Sequence, residues 1–135
     1  YLSYDFGPLA LTVTNYTFPD GDGTYSSGGF FDGDLEISAS TDIGGLSLMA
    51  GYFPDLETLY VEAGFGLGAV DFAIGFGSDS ADAFYVGAGE SAICNVSFGY
   101  SKEIKITDDY SLPLFSSFIF NPKSEAAFIV FGASF

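Results

Sequence analysis

The sequence contains no histidine, arginine or tryptophan, and only one cysteine and three lysines. Each absence excludes a class of protein. Without histidine, neither a Ser-His-Asp nor a Cys-His arrangement can be assembled from these residues, and histidine-ligated metals are excluded with them. Three lysines cannot cover a phosphate backbone, so no nucleic-acid partner is expected. Cys94 alone cannot form an intrachain disulfide, which excludes a disulfide-stapled scaffold. No apolar run approaches the roughly 18 to 20 residues of a membrane helix, because Gly, Ser or an acid interrupts every stretch.

What is present points elsewhere. Eighteen acids bring the formal charge of the 135 residues to -15, yet 48% of them are hydrophobic and 19% aromatic. Disorder needs low hydrophobicity beside high charge, so that class is excluded. The 18 glycines are scattered, which fits neither a flexible linker nor a collagen repeat. The length suits a single domain over residues 1–135. Tyr1 opens the chain without an initiator Met or a signal peptide, so a processed product or an internal piece is expected.

Alternation with period two runs through most of the chain. Val70, Phe72, Ile74 and Phe76 oppose Asp71, Ala73 and Gly75; Leu35, Ile37 and Ala39 oppose Asp34, Glu36, Ser38 and Ser40. Leu59, Val61, Ala63, Phe65 and Leu67 oppose Tyr60, Glu62, Gly64 and Gly66, and Val96, Phe98 and Tyr100 oppose Asn95, Ser97, Gly99 and Ser101. Nine strands are predicted, over 1–6, 9–18, 34–41, 46–53, 58–67, 70–77, 92–106, 110–120 and 125–135. Short connections at 7–8, 42–45, 68–69 and 107–109 alternate with 19–33, 54–57, 78–91 and 121–124, two of them long. In a meander, alternate turns fall at opposite ends, so one end is trimmed and the other elaborated, as in transmembrane barrels.

A soluble barrel or sandwich would turn its bulky residues inward and leave a Gly- and Ser-rich exterior with few charges. Turned outward into lipid, the large residues are solvated and the small polar ones line a lumen. The expected fold is therefore all-β: an antiparallel up-and-down transmembrane β-barrel. Phe18, Phe53, Phe76 and Phe120 end the second, fourth, sixth and eighth strands, as an aromatic girdle at one membrane interface would.

The final segment, residues 126–135, ends on Phe135, with Ala127, Ile129, Phe131, Ala133 and Phe135 on one face. It resembles the closing strand of bacterial outer-membrane barrels, in which a terminal Phe serves as the signal for the barrel assembly machinery. Residues 101–108 (SKEIKITD), 110–115 (YSLPLF), 119–122 (IFNP) and 128–135 resemble the C-terminal stretch of porin-like outer-membrane proteins of Bacteroidetes. The opening Tyr1-Leu2-Ser3-Tyr4, with Tyr16-Thr17-Phe18-Pro19, is similar to an internal strand pair of the same group. The resemblance covers both ends of the chain rather than its middle. It implies an outer-membrane location and a barrel of roughly twelve strands, to which this chain contributes about nine. Since single-chain bacterial barrels have even strand numbers, further N-terminal strands are expected.

Asp5, Asp34, Glu36, Glu62, Asp71 and Glu103 fall on the small-residue face, with Lys105 beside them. They would make either a cation-favouring pore lining or a hydrogen-bonded polar plug in which Lys105 meets carboxylates across the lumen. Lys102 falls on the outward face, near an end where it can snorkel to headgroups. Asp20-Gly21-Asp22-Gly23 resembles half a calcium loop but fails as an EF-hand, with Thr24 and Phe31 where further ligands would stand. Asp20, Asp22, Asp32 and Asp34 leave two readings, an irregular divalent site or a solvated acidic turn, and so do Asp79, Asp82 and Glu90. Cys94 shares parity with Val96 and Phe98 and is expected to face lipid or a loop base.

The expected function is a porin-like passive channel with an acidic, cation-favouring lumen. The alternative is a non-conducting structural or accessory barrel within a larger outer-membrane complex. Outer-membrane enzymes usually pair a His with Ser or Asp, so no enzymatic activity is expected, and no cofactor. Expected partners are outer-membrane lipid, the assembly machinery and other outer-membrane proteins.

Overall fold

In the computed structural model, which describes residues 1–17, 33–80 and 83–134, the alternating segments form one nine-stranded antiparallel sheet in sequence order. The strands are β1 (Leu2–Phe6), β2 (Leu9–Tyr16), β3 (Asp34–Ile43), β4 (Leu46–Phe53), β5 (Thr58–Leu67), β6 (Val70–Asp79), β7 (Ser91–Lys105), β8 (Ser111–Asn121) and β9 (Ala126–Ala133). The fold is an all-β meander with no helix among the described residues. β4 and β5 keep their predicted ends, and most other ends move by one or two residues. The expected strand residues Phe18 and Phe135 lie outside the described residues. The sheet is open: β1 and β9 are its two edges and do not pair with each other.

Turn chemistry fixes the register. Gly7-Pro8, Gly44-Gly45 and Gly68-Ala69 are two-residue turns whose first glycine has φ of 78°, 60° and 66°. Positive φ there matches the twist of the flanking strands. Gly45 is also left-handed, at φ 87°, so β3 and β4 pair as far as Ile43 and Leu46, two residues beyond the prediction. At the opposite end, residues 54–57 and 122–125 are four-residue turns of one sequence pattern, Pro-x-x-Glu, with Glu57 and Glu125 at φ 48° and 56°. The Asn121 carboxamide oxygen accepts the amides of Lys123 and Ser124 at 2.9 and 3.1 Å, which shapes the second of them.

The register converts the alternation into two faces. Leu46, Phe65, Phe72, Phe98, Phe118 and Ile129 form one continuous cross-strand row from β4 to β9. Within it Phe65 stacks on Phe72 at 5.0 Å and Phe98 meets Phe118 at 5.5 Å. Such pairs add about 0.5 to 1.5 kcal/mol beyond area burial. The next row, on the other face, is Ser47, Gly64, Ala73 and Ser97, and another is Met49, Glu62, Gly75 and Asn95. The apolar face is broadly exposed, with Ile74 at 47% and Phe131 at 82%.

Three expectations about side-chain direction need correction. A register shift between Gly75 and Phe76 sets Gly75 against Asn95 and Phe76 against Ile93, leaving Cys94 as the extra residue. A bulge of this kind reverses the parity of everything before it. Cys94 therefore leaves the face of Val96 for the polar face, 7% exposed, with its Sγ 4.0 Å from the Gly75 carbonyl; of its two expected surroundings it has the loop base, near Tyr85. Phe53 also turns to the polar face, since its partner Thr58 pairs onward with Asp79, and it is 3% exposed. It is no part of an outward girdle; its neighbour Tyr52 occupies the apolar face there. Finally, β8 and β9 carry bulk on both faces, because Phe115, Ile119 and Phe128 share the polar face with Ser97 and Ser117. Gly132 leaves room for this: a methyl there would sit 2.6 Å from the Phe115 ring.

Candidate functional site

The polar face is organised around Asp79, the last residue of β6. Alternation carries Asp79 onto the same face as Gly75 and Gly77, where it is 2% exposed. Its Oδ2 accepts four backbone amides, those of Phe84, Tyr85, Val86 and Gly87, at 2.8 to 3.0 Å. The hydroxyl of Thr58, itself fully buried, donates to Oδ1 at 3.1 Å. Converging amides of this sort form an anion-binding nest, and here its occupant is a carboxylate of the same chain. Gly87, at φ 132°, turns the backbone at the end of the nest, and the Glu90 amide donates to the Gly87 carbonyl at 2.9 Å.

The nest folds residues 83–87 across the sheet. Phe84 packs on Phe53 at 5.0 Å and Tyr85 on Tyr60 at 5.0 Å. Tyr85 lies over Gly77, where a methyl group would meet its Cβ at 2.6 Å. Tyr60 lies over Gly75, and the Glu36 carboxylate over Gly51. These glycines are landing sites for large side chains as well as small polar residues. Tyr60 donates its hydroxyl to the Glu62 carboxylate, and the Asn95 amide donates to Glu62 at 2.8 Å and to the Tyr60 oxygen at 3.1 Å.

The expected lining residues separate along this face. Glu36 and Glu62 lie at the loop end, beside Tyr85 and Tyr60. Asp71 lies at the tight-turn end, in a trough of about 550 Å³ that also touches Ser47, Gly64, Ser97 and Ser117. Asp34 begins β3 opposite Tyr16, and Asp5 sits on the edge strand opposite Ala10. Glu103 is exposed opposite Pro113. Lys105 turns away from the acids it was expected to meet and binds Asp108 at 2.7 Å, three residues along its own turn. Lys102 lies opposite Leu114 on the apolar side, as its parity indicates.

Asp79, which anchors the loop, fits neither sequence reading of it, a divalent site or a solvated acidic turn. Continuing the Gly75, Gly77 alternation by one more step would have found its face, although only the fold could show the amides that meet it. Glu90 is paired with Lys123, and Asp82 lies outside the described residues. The divalent-site candidates Asp20, Asp22 and Asp32 lie outside them too. Among the described residues no three metal-ligating side chains gather.

Burial holds the Tyr85 phenol well above its ordinary pKa of 10.0, and the Glu36 carboxylate adds to the shift. A released loop would restore the ordinary value, so above about pH 10 the released form binds fewer protons and gains in population as pH rises. Below that pH the docking contribution is complete. Limited proteolysis within residues 80–90 is expected to accelerate above pH 10 in the native protein, and less so in Tyr85→Phe.

Comparison with protein-family models, with curated proteins and with solved structures yields no match.

Proposed function

We propose that this chain forms part of the wall of a porin-like barrel in a bacterial outer membrane, a passive channel whose acidic lumen favours cations. The apolar face carries the reading. It runs without interruption across the sheet, while soluble monomers rarely expose contiguous apolar patches beyond a few hundred Å². Lipid solvates such a face, and the opposite face, with Glu36, Glu62 and Asp71, becomes the lumen. Purification without detergent as a monodisperse monomer would contradict the reading. The Bacteroidetes resemblance supplies the outer-membrane setting, with lipid and the assembly machinery as partners and Phe135 as the assembly signal.

Closure sets a parity condition. Eight antiparallel steps separate β1 from β9, so the two edges run in the same direction. An all-antiparallel barrel takes an odd number of further strands, which a barrel of roughly twelve provides. β1, at five residues, is also short for a span of about 9 to 11.

A non-conducting accessory barrel is the second reading, favoured by the 83–87 segment that occupies the polar face. Planar-bilayer conductance of the full-length protein in a salt gradient separates the two. The channel reading predicts a cation-biased reversal potential that weakens in Glu62→Gln and Asp71→Asn. Absence of conductance, with a stable co-purifying partner, would favour the accessory barrel.

A further inference from the structure

Beside the docked loop lies an open-sided cavity of about 400 Å³, within the size range of small-molecule sites. It reaches from β5 to β9, and four of its walls are aromatic: Tyr60, Phe84, Tyr85 and Phe128. Asn95 and Asn121 supply uncharged polar groups. Glu62 is hydrogen-bonded directly to two of these wall residues, Tyr60 and Asn95. No cationic side chain balances it. The three lysines are the only cationic side chains in the chain, and each is committed elsewhere. Lys105 binds Asp108, Lys123 binds Glu90, and Lys102 lies on the apolar face.

We infer that this cavity is a binding site for an organic ammonium ion. Aromatic faces attract cations through their quadrupoles, and quaternary ammonium groups are recognised by clusters of such rings. The carboxylate one hydrogen bond behind the wall supplies the countercharge. An anion would meet Glu62 with nothing to offset it. A small metal ion would gain little from aromatic walls. An uncharged apolar molecule could fill the space but would make no use of the negative field. The inference gives the cation-favouring lumen a substrate class, and it rests on that reading for its physiological setting, though not for the existence of the site.

The test is calorimetric titration of the full-length, detergent-solubilised protein with choline and with its uncharged isostere, in which a quaternary carbon replaces the nitrogen. Choline is expected to bind about tenfold or more tightly than the isostere. Phe128→Leu and Glu62→Gln should each weaken choline severalfold and leave the isostere unchanged. Phe128 takes no part in the hydrogen bonds that anchor the loop to Asp79, so its replacement leaves them in place. Equal affinity for the two ligands, absence of choline binding, or choline affinity indifferent to both substitutions would overturn the inference. Conductance without choline binding would remove the site and leave the channel; choline binding without conductance would do the reverse.

Discussion

Asp79→Ala is expected to free residues 83–87 from the polar face, at a cost of about 2 to 4 kcal/mol. The substitution leaves four converging amides without an acceptor and the buried Thr58 hydroxyl without its carboxylate. Water can reach the amides only if the loop leaves the sheet, and it then takes Phe84 and Tyr85 off Phe53 and Tyr60. Asp79→Asn keeps one oxygen for the amides and loses the charge, so it should cost roughly half as much, since hydrogen bonds to charged groups are about twice as strong as neutral ones. Urea titration in lipid vesicles gives the stability, and protease cleavage within residues 80–90 reports the loop. Native-like protection of that segment in Asp79→Ala would show that ring packing alone holds it.

The second large effect concerns the opposite face. Ile74→Arg should destabilise the protein by about 2 to 4 kcal/mol in a bilayer, the depth-dependent cost of a cation on the lipid side of a barrel. Ser97 is the matched control, because it lines the polar trough one strand away, and Ser97→Arg should be tolerated. Gly75, although next to Ile74, is unsuitable: Tyr60 covers it so closely that any side chain collides with the hydroxyl. Equal costs at Ile74 and Ser97 would indicate that the two faces share one environment.

The strands were legible because a half-buried strand leaves a two-residue period, and nothing in the chain competes with it. Glycines at the tight turns marked their ends, with β3 extending further because Gly44 and Gly45 absorb the whole reversal. Parity failed at Cys94, where one bulged residue shifts the count; nothing in the local sequence Ile93-Cys94-Asn95 marks it, and it appears only when β6 is laid alongside. Glu62 and Tyr60 were placed on the correct face because two-residue spacing joins them within one strand. Their partner Asn95 was on the same face by its spacing from Ser97, but it lies two strands away, and only the register of β5, β6 and β7 brings it to them. The loop was illegible for a different reason. Its docking is directed by backbone amides, which carry no sequence signature, and by ring contacts that become possible only where Gly77 lets Tyr85 approach.

The central claim is that the Phe-rich face meets lipid and the acidic face meets water. Spin labels placed singly at Phe72, Ala73, Ile74, Val96, Ser97 and Phe98, in a Cys94→Ser background reconstituted into vesicles, test it most directly. Oxygen concentrates in the bilayer core and a polar nickel chelate stays in water, so their relaxation effects report each label's surroundings. The account predicts oxygen access at Phe72, Ile74, Val96 and Phe98, and nickel access at Ala73 and Ser97, with a period of two along each strand. Nickel access at Ile74 and Phe98 equal to that at Ser97, or a reversed alternation, would contradict it.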